Sequence, residues 1–256
     1  MKTLITHFLI HLLTFVRYHL RLALSRDFVI RMKERKVTIP SSAGIRLEGL
    51  LAVQEASSFS GSVILCHPHP QYGGDMYNPV IAAGAEAASQ EGYSTLCFNF
   101  RGVGESEGSY GEGIGERADV QAAIEYLDSE LRNPDSFIIL FGYSFGAWTA
   151  LPIAVQDQRV KGMIAVAPPL EMYDFGFLEG CKKGKLLIAG SQDVFCPASV
   201  LRKWYERLDE PKSLKIIPGA DHFFFSHTHA LAQPVREFLR TFQNAECRKQ
   251  KADRRS

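Results

Sequence analysis

The sequence predicts an α/β protein built on a mostly parallel sheet with helices on both faces. Three observations predict it. From about residue 37 onward, short apolar runs alternate with helix-patterned stretches, the rhythm of strand–helix–strand units. Several of these runs are apolar throughout, as strands buried on both faces must be. The chain has 256 residues, 46% hydrophobic and 22% charged, enough to bury one full core.

The elements follow in order. "VTI" (37–39) and "IRLEGLLAV" (45–53) read as two short strands joined by a Ser-Ala-Gly turn, an edge hairpin. "SVILC" (62–66) is a buried strand. "NPVIAAGAEAASQEG" (78–92) opens with Asn-Pro and closes with Gly, the two boundary signals of a helix. "YSTLCFNF" (93–100) is the next strand and "GERADVQAAIEYLDSEL" (115–131) a helix. "SFIILFGY" (136–143) is another buried strand. It leads into the helix "FGAWTALPIAVQ" (145–156), where Pro152 predicts a kink or an early end. "VKGMIAVAP", "KLLIAG" and "LKIIPG" supply three later strands, about eight in all. The helices "SVLRKWYERL" and "HALAQPVREFLRTF" follow the second and third of these.

Three regions are expected: a basic amphipathic N-terminal helix or extension (1–36), one α/β domain (37–244), and a basic, disordered tail (245–256). Residues 1–36 carry eight Lys and Arg against two Asp and Glu. Leu9, Leu12, Val16 and Leu20 fall on one helical stripe, with His7, His11, Tyr18 and Arg21 on another. Such a helix suits peripheral contact with an anionic membrane through residues 1–24. Packing on the body or a second subunit, and a targeting role, are the alternatives. Its apolar runs are too interrupted for a membrane span. The net charge of +1 argues against a general nucleic-acid binder. Five cysteines, an odd number with no C-x-x-C pair, read as free thiols in a reducing, cytoplasmic compartment.

The chemistry centres on "GYSFG" (142–146). By chance the pattern G-x-S-x-G is expected about 0.1 times in a chain of this length, so its context decides. Ser144 follows a predicted strand and precedes a predicted helix, the setting of a nucleophile elbow. Gly142 and Gly146 relieve crowding in the sharp turn, and the helix start aims N–H groups toward negative charge. A serine hydroxyl still needs a base. "LKIIPGADHFF" offers His222 directly after a strand, and "KLLIAGSQDVFCP" offers Asp193 on the preceding strand-to-helix loop. Each of the three stands at the carboxyl end of its own strand, where α/β sheets gather their reactive groups.

On these residues the chain resembles the α/β-hydrolase superfamily over roughly residues 37–244. "GYSFG" looks like its elbow, "GSQDVFCP" its acid loop and "GADHFF" its histidine loop. "HPHPQYGGDM" (67–76) is similar to a variant of its oxyanion loop, and "FNFRGVGESEG" (98–108) to its Arg-Gly-x-Gly-x-Ser loop. Pro68 departs from the usual glycine and offers no N–H. No long insertion follows "VAPP", which implies a small, lidless member. The resemblance implies an α/β-hydrolase fold and a serine hydrolase with Ser144 as nucleophile, His222 as base and Asp193 as its orienting acid. It implies oxyanion donors at the backbone N–H groups of Phe145 and His69. Gln71 and Tyr72, with Gly73 and Gly74, are further candidates on the substrate loop. The expected substrate is a small-molecule ester with a small or medium acyl group; thioesters and amides remain open. A peptidase or acyltransferase of the same fold, or a noncatalytic scaffold at a membrane, are the alternative readings. No cofactor is expected.

Other residues carry blander readings. Asp221 and Asp174 are weaker substitutes for Asp193. His67, His69, His227 and His229 invite a metal, but no carboxylate or cysteine completes a ligand set at recognisable spacing, so none is expected. His67 is expected to shape its loop by hydrogen bonding to backbone. Arg101 is expected to pair with a carboxylate. Cys196 follows the wrong strand to be the nucleophile. Phe223, Phe224 and Phe225 read as core or pocket wall.

Overall fold

In the computed structural model of the protein, the described residues are 32–42, 44–54, 61–131 and 136–253. The expected N-terminal helix, and the membrane contact expected through residues 1–24, lie outside them. Residues 32–36, read from sequence as part of that extension, belong to the first strand.

Eight strands form one sheet: β1 (Met32–Pro40), β2 (Arg46–Gln54), β3 (Gly61–Cys66), β4 (Ser94–Phe98), β5 (Phe137–Tyr143), β6 (Val160–Val166), β7 (Gly184–Gly190) and β8 (Lys212–Ile217). Their order is β1-β2-β4-β3-β5-β6-β7-β8. The first pair is the expected antiparallel hairpin. β2 pairs antiparallel with β4, and every later pairing is parallel. The chain leaves β3 to one side for β4 and returns to its other side for β5. That reversal places a topological switch point at the carboxyl end of β3, where ligands bind in sheets of this kind.

Strand periodicity divides the core into two layers. Ile64, Leu96 and Leu140 face one side and pack with α2 (Ile114–Leu131), α3 (Phe145–Gln156) and α4 (Ala198–Arg207). Val63, Leu65, Ile139 and Phe141 face the other, under α1 (Pro79–Gln90) and α5 (Ala232–Asp253). The interior strands β3, β4 and β5 are buried along their whole length, as their unbroken apolar runs require. β8 lies at the edge and alternates partly buried residues with exposed ones over most of its length.

Local signals explain the boundaries. The Asn78 side chain accepts from Val80 N–H at 2.9 Å, and Pro79 needs no partner at the first helical position. Gly92 takes the left-handed conformation just past the end of α1. One expectation is narrowed and one corrected. α3 runs through Pro152 to Gln156 rather than ending there; its buried small and apolar side chains hold it against the sheet despite the missing N–H. α5 continues past residue 244 to Asp253, so the backbone of 245–253 is helical and not a disordered tail. Its sequence, "AECRKQKAD", is rich in helix formers and contains no Gly or Pro to stop it. No helix among the described residues is long and apolar enough to cross a membrane.

Candidate active site

Ser144 sits between β5 and α3 with φ 54° and ψ −119°. A non-glycine residue held at positive φ stores about 1–3 kcal/mol of strain and persists only where the surroundings enforce it. Here they do. Ser144 N–H donates to Val166 O at 2.9 Å, and Ala147 N–H donates back to Ser144 O at 2.9 Å. A Cβ on Gly142 would stand 2.4 Å from Ala147 Cα, and one on Gly146 would stand 2.2 Å from Cys66 O. The two glycines are therefore steric requirements of the turn, and Gly146 lets the backbone of the β3 loop press against the start of α3.

The structure brings the three expected side chains together. Ser144 Oγ lies 2.9 Å from His222 Nε2. His222 Nδ1 lies 3.0 and 2.9 Å from the two carboxylate oxygens of Asp193. With Nδ1–H donating to the carboxylate, Nε2 is left as the acceptor for the serine hydroxyl. Asp193 is itself fixed, because Oδ1 accepts from Phe195 N–H at 2.9 Å and Cys196 N–H at 2.8 Å. All three side chains are buried or nearly so.

The loops that carry them are knitted to one another. Gly190, at the end of β7, has no room for a Cβ, which would lie 2.2 Å from Ala220 O. Gln192 N–H donates to Ala220 O at 2.9 Å and Gly219 N–H to Ser191 Oγ at 2.9 Å. Tyr143, one residue before the nucleophile, donates its hydroxyl to His222 O at 2.9 Å. Burial, followed by the charges of Asp193 and Asp221, pushes its phenol pKa up, so it stays a donor. The sequence gives no hint of this tie, since Tyr143 reads there as one more strand residue.

The weaker acid candidates are placed elsewhere. Asp221 Oδ1 accepts from Phe223 and Phe225 N–H, at 3.1 and 3.3 Å. Asp174 Oδ1 accepts from Gly176 N–H at 2.8 Å. The Cys196 thiol is buried, and burial together with nearby Asp193 raises its pKa, which keeps it protonated.

The loop after β3 is held from several sides. His67 is fully buried; its Nε2 accepts from Phe100 N–H at 3.0 Å, so Nδ1 carries the proton and donates to Pro68 O at 2.7 Å. Burial lowers its pKa to about 4. His69 N–H and Phe145 N–H have no acceptor among the described residues, whereas Gln71 N–H donates to His69 Nδ1 and Tyr72 N–H to His69 O. Gly73 takes φ 79°, and a Cβ on Gly74 would stand 2.2 Å from Pro68 O. Asn99, which sequence reasoning passed over, accepts from Met76 N–H at 2.8 Å and donates to Glu48 Oε2 at 2.8 Å. It thereby ties this loop to β2. Arg101 pairs with Asp119 as expected, with Nη2 to Oδ1 at 2.7 Å, while Glu116 accepts from Gly111 and Gly113 N–H. The histidines do not converge. His67 faces the backbone, His69 Nε2 meets the Tyr110 hydroxyl at 3.2 Å, and His227 Nδ1 donates to Phe225 O at 2.7 Å. Among the described residues no group of three or more His, Cys, Asp or Glu is arranged to hold a metal.

Phe224 is core, but Phe223 and Phe225 are not. They stand 55% and 63% exposed, because the turn alternates its side chains and only the middle one points inward.

A sheet in this order, with a strained serine on the turn between its fifth strand and the following helix, defines an open α/β hydrolase. The comparisons agree. A family model described as the alpha/beta hydrolase fold matches residues 61–180, and one described as PhoPQ-activated pathogenicity-related protein matches residues 170–252. An uncharacterized protein of Rickettsia prowazekii is 34% identical over 207 residues, covering 78% of this chain and 86% of its own. The solved structure of an alpha-beta serine hydrolase homologue from Coxiella burnetii is 30% identical, with TM-score 0.73, over 79% of this chain and 96% of that one. A serine hydrolase without lid from Xanthomonas campestris is 27% identical, with TM-score 0.75, over 82% and 95%. The chain belongs to the α/β-hydrolase superfamily.

Proposed function

We propose that the protein is a serine esterase that cleaves esters of small or medium acyl groups through an acyl-enzyme. The observation that carries this reading is the unbroken relay from Ser144 Oγ through His222 to Asp193, with both steps at 2.9 Å. His222 Nε2 takes the hydroxyl proton as Ser144 Oγ bonds to the ester carbon. Asp193 holds the imidazole in the required tautomer and stabilises the imidazolium. Phe145 and His69 N–H receive the oxyanion; each such donor is worth about 2.7–4 kcal/mol in the transition state. As the intermediate collapses, the carbon–alkoxy bond breaks and His222 returns the proton to the leaving alcohol. Water then enters, gives a proton to His222 and bonds to the acyl carbon. Collapse releases the acid and restores the proton to Ser144.

The test is hydrolysis of p-nitrophenyl acetate and butyrate by the full chain and by Ser144→Ala. The parent protein turns both over, and the variant, folded by circular dichroism, loses at least about a thousand-fold in kcat. A folded parent that cleaves neither ester, or a variant as active as the parent, overturns the reading.

A further inference from the structure

Seven large hydrophobic side chains are exposed among the described residues: Tyr72, Tyr77, Ile114, Met172, Val194, Phe223 and Phe225. Six of them lie on loops that leave the carboxyl ends of strands, and Ile114 opens α2 at the end of another such loop; this is the rim that holds Ser144. Two of them are displayed by a strained turn. Phe224 and Ser226 take φ of 54° and 60°, conformations unfavourable for residues with a Cβ. Phe224 is thereby buried while the rings on either side of it stand in solvent. Asp221 clamps the turn from below through its bonds to Phe223 and Phe225 N–H. Burying either ring would be favourable, so the display opposes the hydrophobic effect.

The rings adjoin the proton relay. Phe195 and Phe223 flank the His222 imidazole at 4.8 and 5.5 Å between centroids, and Phe223 meets Phe225 at 5.6 Å. His222 Nε2 must reach the leaving oxygen to protonate it, so the substituent on that oxygen lies on the His222 side. The aromatic cluster of His69, Tyr72, Tyr110 and Phe145 gathers instead at the proposed oxyanion donors. The loop segments 191–197 and 218–231, which border the shelf, contain Asp193 and Asp221 and no Lys or Arg.

We infer that Phe223 and Phe225 form an open shelf for the alcohol portion of the ester, and that this portion is bulky, apolar and free of negative charge. The inference rests on the esterase reading and goes beyond it by assigning one side of the substrate.

Butyrate esters of alcohols with similar leaving ability test it: ethyl, benzyl, 2-naphthylmethyl and 4-carboxybenzyl. The parent protein is expected to favour 2-naphthylmethyl over ethyl butyrate by about ten-fold or more in kcat/KM, and to accept 4-carboxybenzyl about ten-fold less well than benzyl. Phe223→Ser with Phe225→Ser lowers the naphthylmethyl-to-ethyl ratio by about ten-fold, and the milder Phe223→Leu with Phe225→Leu lowers it in the same direction if the serine pair misfolds. Ile114→Ser, elsewhere on the rim, leaves the ratio unchanged. Hydrolysis of all four esters with a ratio near one, or a ratio indifferent to folded Phe223/Phe225 variants, overturns the shelf and leaves the esterase intact. Failure to hydrolyse any ester, with Ser144 inert to a fluorophosphonate, overturns both.

Discussion

At the residue scale, His67 shows how one buried side chain fixes the loop after β3. It makes both bonds in the neutral form, accepting at Nε2 and donating at Nδ1. Protonation would cancel the first. Its pKa falls from 6.5 to about 4 because burial disfavours the charged form. The sign follows from linkage. Above pH 6.5 the group is neutral in both folded and unfolded chains and has no effect. As pH falls toward 4 only the unfolded chain gains the proton, and the folded state loses stability, by about 3 kcal/mol in full. Urea unfolding at pH 7, 5.5 and 4 is expected to show this loss in the parent protein. His67→Asn, which keeps a donor near Nδ1 without a titrating ring, should be less stable at pH 7 but show a shallower decline toward pH 4. Equal slopes would place the titration elsewhere.

At the scale of elements, the site depends on how closely the β3 loop meets the start of α3. Gly146 permits that contact, since a Cβ there meets Cys66 O and His67 O at 2.2 and 2.6 Å, both backbone atoms that cannot swing aside. Gly146→Ala should push the loop back and misplace His69, one of the proposed oxyanion donors. The expected effect is a fall of about a hundred-fold in kcat with a smaller change in KM, measured on p-nitrophenyl butyrate beside a thermal melt that shows the variant folded. Much of this candidate site was legible in the sequence because Ser144, Asp193 and His222 each stand within five residues of the end of a strand, and strand ends need no tertiary information. Pro68, lacking an N–H, is excluded as a donor from the sequence alone. The Glu48–Asn99 tie was not legible, since it arises only when β2 pairs antiparallel with β4 and Asn99 N–H reaches Glu48 O at 2.9 Å. For Phe223, Phe224 and Phe225 the sequence left core and pocket wall both open, and only the backbone of the turn separates a buried Phe224 from two outward rings.

At the scale of the whole molecule, chemistry and stability occupy different places. The candidate catalytic groups crowd one rim, while the layer under α1 and α5, apart from Tyr143 and Phe224, holds residues outside the candidate site. Leu239 of α5 is fully buried there, and Tyr93 donates its hydroxyl to the Leu239 carbonyl at 2.9 Å. Leu239→Ala is expected to lower stability by about 2–5 kcal/mol, read as a shift in urea midpoint, while kcat at 25 °C stays within about two-fold of the parent. A large loss of kcat in the folded variant would mean that the two layers are coupled.

The convergence of Ser144, His222 and Asp193 into one working relay is the claim on which the enzymatic account depends. Intact-protein mass spectrometry after brief exposure to a fluorophosphonate, followed by peptide mapping, tests it most directly. The account predicts one adduct per chain, on Ser144, formed far more slowly in His222→Ala. A folded protein that takes up no adduct, or takes it up on another residue, would contradict it.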